Sequence, residues 1–77
     1  MNIQIEKEDV ERKMSALSTI LNTMSVPEKR KDLTDFSNVR WLSRNLRIEN
    51  GDHPMINSAM EIVTFLFRKH YLLRRFK

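Results

Sequence analysis

Residues 54–77 of the chain read PMINSAMEIVTFLFRKHYLLRRFK, and this stretch decides the fold. Apolar side chains occupy most of its positions as far as Leu73 and leave almost no polar face through the middle. A helix that is apolar on all sides has to be covered by other helices or by a partner. We therefore predict a helix over residues 54–74 that lies at the centre of a small bundle.

The composition indicates an all-α protein with a single domain, residues 1–77. A chain of 77 residues is long enough for one domain. Hydrophobic residues make up 40% of it and there is only one glycine, which is typical of a folded helical chain rather than a disordered one. There is no cysteine, and the two histidines lack the spacing of metal ligands. We therefore predict neither a metal nor a cofactor.

The first predicted helix covers residues 6–24. Its apolar residues recur at intervals of four and three positions, and they are Val10, Met14, Leu17, Leu21 and Met24. Such a narrow stripe is suited to packing along one other helix. We expect antiparallel packing within the domain. The alternative is a homodimer in which this stripe, or the last helix, forms the seam between the two copies.

Two shorter helices are predicted next, over residues 26–33 and 38–47. Ser25 followed by Glu28 has the pattern of a capping box, in which each side chain bonds a backbone amide at the start of the helix. The cap of the second of these helices is expected to be either Ser37 or Asp35. Asn50 and Gly51 form a turn signal, and a cap at Asp52 or His53 is expected to start the final helix. The fold class is thus a bundle of about four helices, 6–24, 26–33, 38–47 and 54–74, around the apolar C-terminal helix.

The helix over residues 38–47 carries the main candidate binding surface. At 100° per residue one face is apolar and consists of Val39, Leu42 and Leu46. The remaining faces hold Arg40, Trp41, Arg44 and Arg47. A tryptophan among arginines is favoured at interaction hot spots, and this pattern predicts docking on a protein partner with Trp41 as the anchor. The competing interpretation places Trp41 in the core and leaves the arginines solvated.

A helix-turn-helix that binds DNA is the alternative function for the same helix. Residues 26–33 would form the first helix and residues 38–47 the recognition helix. The predicted nucleic-acid contacts are Lys29, Arg30, Lys31, Asn38, Arg40 and Arg44. Arginine reads guanine and asparagine reads adenine in the major groove. The turn lacks the usual small residue, however, and Trp41 is a poor reader of bases.

A basic tail follows the apolar part of the last helix. It consists of Arg68, Lys69, Arg74, Arg75 and Lys77, together with His70. Cations at the C-terminus of a helix are favoured by the helix dipole, and nucleic acid is a second explanation. Association with a membrane surface requires a clean polar face, which the middle of this helix lacks, so membrane binding is disfavoured.

Catalysis is not expected. The chain has no serine-centred elbow and no glycine-rich loop for phosphate, and no pair of carboxylates lies within an apolar run. The N-terminus is acidic and lacks the apolar run of a signal peptide, so we expect a cytoplasmic protein. The sequence therefore predicts a small, non-catalytic regulatory or binding protein. Its size suits an accessory protein of a phage or other mobile element.

Overall fold

The fold consists of three α-helices. The computed structural model describes the backbone of residues 3–75 and the side chains of residues 6–70. Within that part of the chain the helices are α1 (Ile3–Leu21), α2 (Phe36–Asn50) and α3 (Ile56–Arg75), and no strand is present. The all-α class is confirmed, and α3 corresponds to the apolar helix that was predicted over residues 54–74.

The prediction of a fourth helix over residues 26–33 is wrong. That region contains only a single 3₁₀ turn, Glu28–Arg30, which has no side-chain cap. The predicted capping box does not form, because the amide of Ser25 donates to the side chain of Asn50 at 2.8 Å. The segment is instead held along α2 by hydrogen bonds to side chains of that helix.

The other helix boundaries differ from the predictions by a few residues. α1 begins before residue 6 and ends before residue 24, whereas α2 extends in both directions beyond 38–47. Asp35 caps α2 as predicted, since its carboxylate accepts the amide of Ser37 at 2.9 Å. Gly51 ends α2 without a positive φ angle. A Cβ atom there would lie 2.9 Å from the carbonyl oxygen of Arg47, so the turn requires a glycine.

α3 packs against both α1 and α2 and is antiparallel to each of them. Glu6 near the start of α1 pairs with Lys69 near the end of α3 at 3.3 Å. For α2 and α3, the ring of Phe36 at the start of α2 lies 5.4 Å from that of Phe67. The stripe of α1 therefore packs within the domain, as expected, and the homodimer stays a prediction.

The core lies where the three helices meet. Its buried hydrophobic residues are Leu17, Ile20, Leu21, Leu33, Val39, Leu42, Leu46, Ile56, Ala59, Val63 and Leu66. Burial of one large aliphatic side chain contributes about 1.5–3 kcal/mol, so this cluster supplies most of the driving force for folding. The face of Val39, Leu42 and Leu46 is buried as predicted. No helix in the described part of the chain is long and apolar enough to span a bilayer.

Candidate functional site

The solvent face of α2 presents a stripe of arginines. Arg40, Arg44 and Arg47 are all exposed, because the opposite face of α2 is buried against the rest of the domain. Their spacing of four and then three positions places them as neighbours on the helix surface. Ile48 lies one turn after Arg44 and is 76% exposed. We refer to these four residues as the α2 face.

The arginines of the α2 face have no acidic partner within the described part of the chain. No carboxylate of those residues lies within 4.0 Å of them. The ion pairs that the structure does show use Lys13, Lys31 and Lys69. Arg47 donates to the amide oxygen of Asn57 on α3 at 3.1 Å, and this bond positions its guanidinium without neutralising it. The positive charge of the face is thus available to an external anion.

Trp41 is less exposed than an anchor residue would be. Its side chain is half-buried and packs against the hydrophobic core. The guanidinium of Arg30 lies 5.2 Å from the centroid of its indole ring, which is cation–π geometry. The indole therefore closes the edge of the core under Arg30, and the exposed apolar side chain of the α2 face is Ile48.

The set of residues predicted to contact DNA does not form one surface. Asn38 was expected at the exposed front of a recognition helix and is only 5% exposed, which corrects that prediction. Its amide nitrogen donates to the carbonyl oxygens of Lys29 and Asp32, each at 3.0 Å. Arg30 lies over the indole, and Lys31 bonds Asn22 and Glu28. The helical wheel carries a signal for the burial of Asn38, because it lies one turn before the buried Leu42.

The basic tail is only partly within the described side chains. Arg68 is exposed, whereas Lys69 is engaged by Glu6 and lies 5.5 Å from the ring of Phe65. The Nε2 atom of His70 lies 3.2 Å from the carbonyl oxygen of Leu33 and ties α3 to the connecting segment. The side chains of Arg74, Arg75 and Lys77 lie outside the described residues.

Two open grooves lie on either side of one ridge of α3. The ridge is formed by Glu61 and Phe65, which line both grooves. One groove, of about 590 Å³, separates α1 from α3. The other, of about 400 Å³, begins at Arg47 and continues along α3 to Arg68. Neither has the enclosed apolar shape of a site for a small molecule, and no group of metal-ligating side chains occurs among the described residues.

The comparisons with known proteins add no family to this description. No protein-family model matches the chain, and no curated protein or solved structure matches it either. The function has to be argued from the surface itself. The most distinctive part of that surface is the α2 face, with its unpaired arginines and exposed isoleucine.

Proposed function

We propose that the protein is a non-catalytic binding protein that docks on an acidic protein partner through the α2 face. The observation that carries this proposal is that Arg40, Arg44 and Arg47 lie on one exposed helix surface without a carboxylate partner. Guanidinium groups form bidentate, charge-assisted bonds with carboxylates, and such bonds fix orientation as well as adding energy. The α2 face therefore matches a surface that presents several Asp or Glu side chains.

The arginines are not required by the fold. None of them is part of the core, and only Arg47 has a hydrogen bond to another helix among the described residues. Charges at the edge of an interface mainly raise the rate of association and suppress wrong partners. We assign Arg40 and Arg44 this steering role, and we assign Arg47, held by Asn57, the role of a fixed contact.

Ile48 favours a protein over a nucleic acid as the partner. An exposed isoleucine between charged residues provides an apolar contact that can be desolvated at the centre of an interface. A phosphate backbone offers no apolar counterpart to it. Two of the three cations that would flank a recognition helix are also engaged elsewhere, because Arg30 covers Trp41 and Lys31 bonds Glu28.

The proposal includes a regulatory role, a cellular location and a type of source for the protein. A small protein that binds without catalysing a reaction acts by occupying or positioning its partner, which is a regulatory role. We place this role in the cytoplasm and regard an accessory protein of a phage or other mobile element as the best fit to its size. The identity of the captured partner tests both statements.

Affinity capture with quantitative mass spectrometry tests the proposal. The tagged wild-type chain is compared with a variant in which Arg40, Arg44 and Arg47 are all changed to Ala. The matched control removes three exposed cations elsewhere, at Lys7, Arg12 and Lys29. Nuclease treatment of every sample removes contacts that nucleic acid mediates, and circular dichroism confirms that both variants fold.

The expected result is a protein that the wild type and the control retain and the triple arginine variant loses, with retention that decreases as salt increases. If the arginine variant retains the same proteins as the wild type, the α2 face is not the docking surface. If capture disappears on nuclease treatment alone, the DNA-binding alternative replaces the proposal.

A further inference from the structure

The groove that runs from Arg47 along α3 continues the α2 face onto the neighbouring helix. Arg47 closes one end, where its guanidinium bonds Asn57 at 3.1 Å, and Arg68 closes the other end. The half-buried Met60 lines the groove between them. Asn57 and Arg68 are eleven positions apart on α3, which corresponds to about 16 Å along the helix axis. We call this depression the arginine groove.

We propose that the arginine groove receives an acidic α-helix of the partner, with one carboxylate at each end and an apolar residue between them. This inference rests on the proposed function, because it assigns a chemistry and a position to the same acidic partner. Among the described residues neither Arg47 nor Arg68 has a carboxylate within 4.0 Å, so each end of the groove offers an unpaired guanidinium.

The axial spacing of Asn57 and Arg68 on α3 fits a helical ligand. Two residues that are eleven positions apart in an α-helix are about 16 Å apart along the axis and point to nearly the same side, because eleven residues make about three full turns. A helix with acids at these two positions therefore matches the axial spacing between Asn57, which holds the guanidinium of Arg47, and the backbone of Arg68. Its intervening turns then lie over Met60 and Thr64.

The groove also selects against acids at the centre of the ligand. Glu61 is exposed on the rim between the two ends. A carboxylate of the ligand placed beside it would be repelled, whereas an apolar or basic residue would not. The ligand that fits best is therefore an amphipathic helix with acids near both ends of the bound face. Docking of such a helix is a variant of the common mode in which an amphipathic helix lays its apolar residues into a groove, here with an acid at each end.

Binding of designed helical peptides tests the inference directly. One peptide, stapled to hold it helical, has Glu at two positions eleven residues apart and Leu between them on the same face. The comparison peptide has the same composition, with the two Glu residues six positions apart, so that they point to different sides. Fluorescence anisotropy measures the binding of both to the full chain.

We expect the first peptide to bind about tenfold more tightly than the second, since only the first reaches both arginines. Arg68→Glu is expected to remove this preference, and the matched change Arg12→Glu on α1 is expected to keep it. Glu61→Gln should strengthen binding of a third peptide that carries an extra Glu at its centre. Equal binding of the first two peptides, or an unchanged preference in Arg68→Glu, overturns the assignment of the groove.

The two proposals fail in different ways. Arg40 and Arg44 do not line the groove, so the double change to Ala tests the α2 face while the groove stays intact. If that double variant loses the captured protein while Arg68→Glu retains it, the α2 face is the docking surface and the groove is not. If the peptides bind as expected but the double variant retains every captured protein with the same dependence on salt as the wild type, the groove stands and the proposed role of the α2 face fails.

Discussion

The side-chain amide of Asn50 hydrogen-bonds both backbone groups of Ser25. Its Oδ1 atom accepts from the Ser25 amide at 2.8 Å, and its Nδ2 atom donates to the Ser25 carbonyl at 3.1 Å. At the other end of α2, the amide of Asn38 donates to the carbonyls of Lys29 and Asp32. The connecting segment between α1 and α2 is therefore fixed along α2 at both ends by two buried asparagines.

Replacement of Asn50 by Ala is expected to destabilise the protein by about 2–3 kcal/mol, because the amide and the carbonyl of Ser25 both lose their partner in a partly buried position. Urea unfolding followed by circular dichroism measures this change. Asn22→Ala is the matched control, since Asn22 is exposed and bonds only Lys31 among the described side chains. We expect that control to stay within about 0.5 kcal/mol of the wild type. An equally small change in the free energy of unfolding of Asn50→Ala would show that water takes over the hydrogen bonds to Ser25.

These asparagine contacts explain why the predicted helix over residues 26–33 does not form. The capping signals of Ser25 and Glu28 are local and are visible in the sequence. Their competitor, Asn50, lies 25 positions further along the chain and becomes a neighbour only in the fold. A pattern over four residues carries no information on such a partner.

The features that the sequence did predict depend on regular spacing within one helix. The buried face of Val39, Leu42 and Leu46 follows from a period of 3.6 residues, and so does the exposure of the arginines on the other side of α2. The cap at Asp35 is likewise a local feature. The contribution of Arg68 to the arginine groove was not predictable, because it requires the antiparallel register of α2 and α3.

Truncation of Trp41 is expected to destabilise the protein, whereas truncation of Ile48 is expected to leave its stability almost unchanged. Trp41→Ala should cost about 2–3 kcal/mol of the free energy of unfolding, since the indole packs against the core. Ile48→Ala should change it by no more than about 0.5 kcal/mol, because the side chain is 76% exposed. Urea unfolding of the two variants checks this. If Trp41→Ala is as stable as the wild type, the indole is not needed by the core, and Trp41 is again the predicted anchor of the binding surface.

Arg30→Ala should lower stability by about 0.5–1 kcal/mol through loss of the cation–π contact with Trp41. It should also shift the fluorescence maximum of Trp41, because the guanidinium that covers the indole is removed. Arg44→Ala, which removes an exposed arginine from α2, the helix that carries Trp41, is the control and should leave the emission unchanged. An unshifted spectrum in Arg30→Ala would show that Arg30 does not cover the ring in solution.

Neutral His53 is expected to carry its proton on Nε2. Its Nδ1 atom accepts the amide of Met55 at 3.0 Å, so this nitrogen must hold a lone pair. The Nε2 atom lies 3.1 Å from the hydroxyl oxygen of Thr23, whose own proton is donated to the carbonyl of Ile20 at 2.7 Å. Nε2 must therefore be the donor. Long-range ¹⁵N–¹H NMR spectra identify the tautomer, and a proton on Nδ1 would contradict the hydrogen bond from the Met55 amide.

Thr34 is expected to control the titration of Asp32. The hydroxyl of Thr34 donates to the Asp32 carboxylate at 2.6 Å, and the amide of Thr34 donates to it at 3.1 Å. Both bonds hold the pKa of Asp32 below its ordinary value, and the bond from the hydroxyl has the larger effect. A carboxyl whose pKa is lowered by folding adds stability above its unfolded pKa and loses it as the pH falls through the folded pKa. Thr34→Val removes the hydroxyl bond, so it should raise the pKa of Asp32 and move this loss of stability to higher pH.

An NMR titration of the Asp32 side-chain carbon measures the pKa of this carboxyl in each variant. Thr19→Val is the control, because Thr19 is exposed and its hydroxyl bonds only the carbonyl of Ser15 among the described residues. This control should leave the titration of Asp32 unchanged. The amide bond from residue 34 remains in Thr34→Val, so the pKa should rise only part of the way to its ordinary value. An identical titration in Thr34→Val and the wild type would show that the hydroxyl does not bond the carboxylate in solution.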